Sequence, residues 1–211
     1  MTGLAVALGI PLLLALQGYV IGSISSGFLV GKLYRGVDLR RIGSGSTGAT
    51  NTLRTLGPGA ALLVAVLDIL KGALAVWIAR LLVHGGGDAT AIAEASAAVG
   101  AVAGHGWPVF LKGRGGRGVA TGFGALLFIA RPAWLVSVAG FALAVGLTRM
   151  VSVGSLAAAA GAIGGYLFFA ATGVISFQPP AFAFILVAAA IITLRHRANI
   201  IRIARGVEPR L

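Results

Sequence analysis

Residues 59–83 read GAALLVAVLDILKGALAVWIARLLV, and that run decides the fold. A helix needs about 20 mostly apolar residues to cross a bilayer, and this stretch exceeds that length. Its charges are Asp68, Lys71 and Arg80. Asp68 and Lys71 stand three apart, on neighbouring turns of one helix face, so they are expected to neutralise each other as a structural pair. Six further apolar runs lie on either side of it, at 4–31, 89–110, 118–130, 132–148, 151–172 and 181–194. Pro132 separates the fourth span from the fifth, since proline ends one helix and opens the next. The fourth and the last are short, and a shallow hairpin is the alternative for the fourth with the fifth. The expectation is an all-α integral membrane protein of about seven spans, a single domain over 1–211.

Composition agrees. The chain has 211 residues, 58% hydrophobic and 10% charged, against about 25% charged in a soluble domain. Its mean hydropathy is +0.98. So few charges cannot cover a water-facing surface, and the apolar content excludes a disordered chain. The net charge is +12, with 17 Lys+Arg against 5 Asp+Glu. Nucleic acid is the usual partner of such a balance. It is rejected here because the basic residues lie between apolar runs; anionic lipid and phosphate-bearing small molecules fit better. The chain has no cysteine, so disulfide and thiolate chemistry are excluded. The few scattered carboxylates argue against a metal site, and no cofactor is expected.

Charge placement gives the orientation. Seven crossings gather Lys32, Arg35, Arg40, Arg41, Arg54, Lys112, Arg114, Arg117, Arg149, Arg195, Arg197, Arg202, Arg205 and Arg210 on one side. Arg80 and Arg131 remain for the other, with Lys71 inside a span. Cytoplasmic loops carry the excess of Lys and Arg, so the N-terminus is expected outside and the C-terminus in the cytoplasm. No Lys or Arg precedes Lys32, so the first run reads as a retained span rather than a cleaved signal peptide. Glycine pairs such as Gly18/Gly22 and Gly100/Gly104 have the spacing that lets helix backbones approach closely.

Three polar islands fall on the cytoplasmic side. The first, GVDLRRIGSGSTGATNTLRTLG (36–57), sets Gly43 and Gly45 among Ser44, Ser46, Thr47, Thr50 and Asn51. Such a run can turn successive N–H groups toward an anion. A short helix over 47–56 would aim its N-terminus there, with Arg54 as a fixed fork. It is not a Walker loop, because Ala49 stands where the lysine belongs. The second, GHGWPVFLKGRGGRGVATGFG (104–124), contains a formal G-x-G-x-x-G at Gly113, Gly115 and Gly118. Membrane spans flank it, so a dinucleotide fold is rejected. What survives is a phosphate cradle: Gly115, Gly116, Gly118, Arg114 and Arg117 opening a helix at Val119. The third is the tail TLRHRANIIRIARGVEPRL (193–211), where His196 and Asn199 share a helix face. His suits general acid–base work, although an amphipathic helix holding anionic lipid explains the arginines equally well. His105, next to Trp107–Pro108, is expected to join the cavity, and Glu94 to serve packing or hydrogen bonding.

The islands resemble one family. The first is similar to the GSGNxGATNxxR signature of the bacterial acyl-phosphate:glycerol-3-phosphate acyltransferases (PlsY). The second is similar to that family's GHxxPVFxxFKGGKGVAT segment. The tail is similar to HRxNIxRxxxGxE, here His196, Arg197, Asn199, Ile200, Arg202, Gly206 and Glu208. The resemblance implies seven spans and transfer of an acyl group from acyl-phosphate to the 1-hydroxyl of sn-glycerol 3-phosphate. The products are lysophosphatidic acid and phosphate, made at the cytoplasmic face of the inner membrane in phospholipid biosynthesis. It implies a soluble acyl-phosphate-producing enzyme as a candidate partner, and no direct use of acyl-CoA or acyl carrier protein. It carries functional roles to Ser44, Arg54, Arg114, His196 and Asn199, and phosphate binding to the second island's glycines. Departures are Ser46 for an asparagine, Arg114 and Arg117 for lysines, and Ser25–Ser26 for a frequent Pro-Phe. The general base is left open between His196, oriented by Asn199, and the leaving phosphate. An H-x-x-x-x-D acyltransferase is excluded, because Ala89, Phe110 and Ile201 stand five after the three histidines. A transporter of a phosphorylated metabolite is the other alternative; it would place binding groups at mid-membrane in repeated halves, and no halves are visible.

Overall fold

The computed structural model describes residues 2–211, with side chains from residue 9 onward. Ten helices follow one another: α1 (Thr2–Ser23), α2 (Ser26–Arg35), α3 (Ala49–Leu56), α4 (Pro58–Leu82), α5 (Gly87–Gly106), α6 (Val119–Ile129), α7 (Arg131–Thr148), α8 (Val151–Ala171), α9 (Pro179–Arg195) and α10 (Arg197–Ala204). Four stretches are long and apolar enough to cross a membrane: Gly9–Arg35, Pro58–Leu82, Arg131–Thr148 and Val151–Ala171. Pro179–Arg195 is apolar too and passes the same test only together with Arg197–Ala204, which it meets at a 61° bend. Large apolar side chains such as Leu12, Leu16, Leu143 and Leu147 point outward, the reverse of a water-soluble surface and the arrangement lipid favours.

Three expected spans differ in detail. The run 4–31 is broken: α1 ends at Ser23 and α2 starts at Ser26. The break frees the Ile24 carbonyl, which accepts from Lys71 Nζ at 2.9 Å. Lys71 also meets Asp68 Oδ1 at 2.8 Å, so the expected pair forms and doubles as a cap for the broken helix. The 118–130 span is the 11-residue α6, which rises only about 16 Å, about half the hydrocarbon thickness. The helix α5 is not apolar enough to register as a span by itself, because alanine and glycine fill it. Ala97, Ala98, Ala101 and Val102 are fully buried there, so α5 is a central helix with little lipid contact.

Small residues bring the helices together. A Cβ on Gly18 or Gly22 would run into the Ala97 or Ala101 carbonyl of α5. Reciprocally, one on Gly100 or Gly104 would meet the Ala15 or Tyr19 carbonyl of α1. The glycine spacing read from sequence is therefore a mutual seam. A core of Val76, Val102, Leu126, Tyr166, Phe184 and Ile185 fills the space between α4, α5, α6, α8 and α9. Lipid is as apolar as these side chains, so their contribution is close van der Waals packing rather than removal from water. Glu94 is held by Arg80, Nε to Oε1 at 2.5 Å, so it serves an ion pair within the bundle. The three polar islands lie together at one end, where α4, α6 and α8 begin and α5, α7 and α9 finish.

Candidate active site

The first island is folded around Asn51. Its buried amide donates to the carbonyls of Leu39 (3.1 Å), Ile42 (3.0 Å) and Ser46 (2.9 Å). Its Oδ1 accepts the Ser44 N–H at 3.1 Å. The polar atoms of Asn51 thus shape the loop, and Asn51 also lines the cavity described below. Gly43 and Gly45 adopt φ of 60° and 68°, where a side chain would be strained. The loop delivers Gly48, Ala49 and Thr50, the first turn of α3, to a cavity together with Ser44.

The second island wraps His105. The Gly116 N–H donates to the His105 carbonyl at 3.0 Å, so it is not free for an anion as the cradle reading expected. A Cβ on Gly116 would run into His105 Nε2, which explains glycine there. The carbonyls of Gly115 and Gly116 accept from Arg195, Nη2 at 3.1 Å and Nε at 3.0 Å. The Arg195 guanidinium lies 5.4 Å from the Trp107 ring centre. On its other side His105 Nδ1 faces Thr121 Oγ1 at 3.2 Å and Asp68 Oδ1 at 3.5 Å. Gly118 caps α6 with φ 86°, setting Val119 and Ala120, the first residues of that helix, at the cavity wall. Arg117 reaches that wall too, whereas Arg114 is exposed and lines neither cavity described below.

In the third island, α9 ends at Arg195 and the chain bends into α10 at His196. His196 is fully buried. Its Nδ1 lies 2.8 Å from the Ile192 carbonyl, an acceptor, which places the proton on Nδ1 and leaves Nε2 as a free lone pair. That Nε2 is buried without a protein partner. Burial pushes the imidazole pKa down from 6.5 to about 4, with Arg117 adding to the shift and the Ile192 hydrogen bond opposing it. Asn199 does not orient His196 as expected: its Nδ2 donates to Glu208 Oε1 at 2.6 Å. Arg202 Nε holds the other Glu208 oxygen at 2.7 Å. Burial raises the Glu208 pKa, but Asn199, Ser152 and Arg202 together outweigh it and leave the carboxylate below its usual range. The Arg54 side chain reaches the Pro209 carbonyl at 3.4 Å, joining the first island to the tail.

Two cavities with shared walls result. A polar bowl of about 500 Å³ is ringed by Arg54, Arg117, Arg195 and Arg202, with Ser44 and Asn199 on its wall. An inner chamber of about 250 Å³ holds Ser44, Thr50, Asp68, His105, Arg117 and His196. Ser44, Ser46 and Arg117 belong to both. The chamber's far wall, Val119 and Phe123, is shared with a narrow apolar crevice between α6, α8 and α9. The first turns of α3, α6 and α8 all border the chamber, and helix N-termini favour anions. Burial, with Arg202, Arg54 and Arg195 close by, lowers the Arg117 pKa, and Glu208 only partly compensates. Such crowding of cations awaits negative charge. Sequence reasoning missed Arg195 and Arg202 as bowl residues and Asp68 as a chamber residue. For Arg195 the signal was its place beside His196 at the end of an apolar run.

Taken together, the arrangement offers arginine forks for phosphate, one neutral imidazole acceptor and an apolar recess. A family model described as glycerol-3-phosphate acyltransferase matches residues 12–206. A glycerol-3-phosphate acyltransferase of Synechococcus sp. (strain CC9902) is 44% identical over 206 residues, covering 95% of this chain and 94% of the relative. One from Gloeobacter violaceus is 43% identical, covering 92% and 91%. The crystal structure of PlsY (YgiH), an integral membrane glycerol 3-phosphate acyltransferase, in its glycerol 3-phosphate form, superimposes with a TM-score of 0.82 at 34% identity over 95% of each chain. Its lysophosphatidic acid form gives 0.80 at 33% identity, again over 95% of each chain.

Proposed function

The chain belongs to the glycerol-3-phosphate acyltransferase family, and from that premise we propose how its own residues carry out acyl transfer. It is a multi-pass membrane enzyme that acylates the 1-hydroxyl of sn-glycerol 3-phosphate to give lysophosphatidic acid. The proposed donor is acyl-phosphate. The glycerol 1-oxygen attacks the acyl carbonyl carbon, the bond from that carbon to the phosphate oxygen breaks, and phosphate leaves. Arg54, Arg195 and Arg202 hold the glycerol 3-phosphate headgroup in the bowl. Arg117 and the first turns of α3 and α6 hold the donor phosphate in the chamber, where Ser44 donates to the developing oxyanion. The acyl tail runs along Phe123 and Phe141 toward the crevice beside Ile192.

His196 accepts the hydrogen bond of the attacking hydroxyl through Nε2. A buried imidazole with a pKa of about 4 is a weak base. A phosphate dianion, whose second pKa is about 6, is stronger. The proton therefore passes to the outgoing phosphate, and His196 sets the trajectory. Positioning and preorganised charge supply the rate for so reactive a donor. Asn199 acts through Glu208, fixing the tail against Arg202.

The full topology belongs to the same proposal: seven crossings, α1–α2 as one and then α4, α5, α6, α7, α8 and α9, in a single domain of the bacterial inner membrane. The N-terminus lies outside and the bowl faces the cytoplasm, where a soluble enzyme supplies acyl-phosphate. The alternation of helix ends supports an odd count, and the short α6 sets the chamber below the headgroup level. The observation that carries the proposal is the joined bowl and chamber, cationic at the mouth and apolar at the end. Purified protein given glycerol 3-phosphate should form lysophosphatidic acid and phosphate in equal amounts with acyl-phosphate, and none with acyl-CoA. Equal rates with acyl-CoA would remove the donor assignment.

A further inference from the structure

The end of the bundle opposite the bowl carries a second cavity, of about 420 Å³. It sits where α6 ends, α7 begins, α8 runs out and α9 begins. Arg80, Arg131, Phe128, Tyr166, Ser176 and Gln178 line it. The length of α6, about 16 Å, separates it from the chamber. Only Arg80 and Arg131 were left for this membrane face by the charge placement, and both stand in this one cavity. The inside bias strips cations from the outer face, so their convergence calls for a physical reason.

Arg80 is fixed. Its Nε donates to Glu94 Oε1 and its Nη2 to the Phe128 carbonyl at 3.1 Å, with the guanidinium 5.6 Å from the Phe128 ring centre. Glu94 balances its charge, and the carbonyl bond caps the end of α6. Arg131 is different: it is exposed and, among the described residues, has neither a carboxylate within ion-pair distance nor a hydrogen-bond acceptor. It is the first residue of the 18-residue α7, while Gln178 caps the 17-residue α9. The positive charge of the cavity is carried by the arginines, because Pro132, Pro179 and Pro180 have no N–H and few donors are left at the two helix starts. The wall between them is rigid, because the Tyr166 hydroxyl donates to the Gln178 carbonyl at 3.1 Å and accepts its N–H at 2.9 Å. A wall of two arginines beside the Phe128 and Tyr166 rings suits an anion held beside apolar surface.

We propose that this cavity binds a phosphate-ester anion at the membrane face opposite the active chamber, with Arg131 supplying the uncompensated charge. A bound phosphate would tie the α6–α7 junction to the α8–α9 loop. The chemistry is shared by the headgroup of an anionic phospholipid and by free phosphate, and the test separates them. Full-length purified protein and its Arg131→Gln and Arg131→Lys variants are titrated with phosphatidylglycerol, diacylglycerol or inorganic phosphate. The readouts are retained ligand by native mass spectrometry and the thermal unfolding midpoint. The bowl also takes phosphate, so the difference between wild type and Arg131→Gln is what counts. Phosphatidylglycerol should bind Arg131→Gln roughly tenfold more weakly than wild type, the weight of a hydrogen bond to a charged group, with Arg131→Lys restoring most of it and diacylglycerol inert. If inorganic phosphate shows the same difference, free phosphate is also a ligand; if only phosphatidylglycerol does, the headgroup is. Equal binding of both phosphate ligands by wild type and Arg131→Gln overturns the proposal. Acyltransferase activity is the folding control and should not change in either variant.

Discussion

Replacing His196 with alanine separates its two possible roles. Burial lowers its pKa from 6.5 to about 4, a penalty of about 3 kcal/mol against the imidazolium. At pH 7 only about one imidazole in a thousand is then protonated, and Nε2 is about a hundredfold less basic than a phosphate dianion. His196→Ala removes one acceptor for the attacking hydroxyl, worth about 1 kcal/mol of ground-state binding. It also loosens the attack geometry, for which about a hundredfold in rate is the typical cost. The expected result is KM for glycerol 3-phosphate raised about fivefold and kcat lowered about a hundredfold. The acidic limb of the pH–rate profile should stay near pH 6, where phosphate titrates. The assay is lysophosphatidic acid formation from acyl-phosphate between pH 4 and 8. A limb that disappears in His196→Ala would make the imidazole the base and refute the reasoning. Stability carries a second signature. The unfolded chain takes up the His196 proton first, so the fold loses stability as pH falls from 6.5 toward about 4. The variant should lack that contribution.

Other substitutions follow from where side chains sit. Arg117→Ala should cost more than about a hundredfold in kcat/KM, the scale of a lost charge-stabilising donor. Arg114→Ala should cost less than about threefold, because an exposed charge outside both cavities contributes little. Asp68→Asn leaves Lys71 buried with no carboxylate and should destabilise the protein by about 3–5 kcal/mol, read by thermal unfolding in detergent. Gly116→Ala drives a methyl group into His105, so it should cost activity together with stability, in contrast to Arg117→Ala, which should leave the unfolding midpoint near wild type.

Much of this was legible in the sequence, and for identifiable reasons. Apolar run length located the four stretches long enough to cross a membrane, because in lipid every backbone group must be satisfied within its own helix. Gly18/Gly22 and Gly100/Gly104 announced their seam through spacing alone. The break at Ile24–Ser25 was hidden, because its carbonyl is satisfied by Lys71, 47 residues away. The site's composition was readable and its wiring was not. Asn51 and Gly116 sit amid anion-binding signatures, yet their polar groups turn inward to the loop and to His105. Which of Arg114 and Arg117 enters the cavity depends on the turn at Gly118. That His196 is oriented by the Ile192 carbonyl and Asn199 by Glu208 depends on a bend between α9 and α10 that periodicity does not reveal.

Where the substrates lie decides the mechanism. A crystal structure of the protein with glycerol 3-phosphate and a non-hydrolysable acyl-phosphonate tests it most directly. The glycerol phosphate should lie among Arg54, Arg195 and Arg202, with the 1-hydroxyl on His196 Nε2. The phosphonate should lie against Arg117 and the first turns of α3 and α6, with the tail along Phe123. Density for either substrate outside the joined bowl and chamber, with His196 Nε2 untouched, would contradict it.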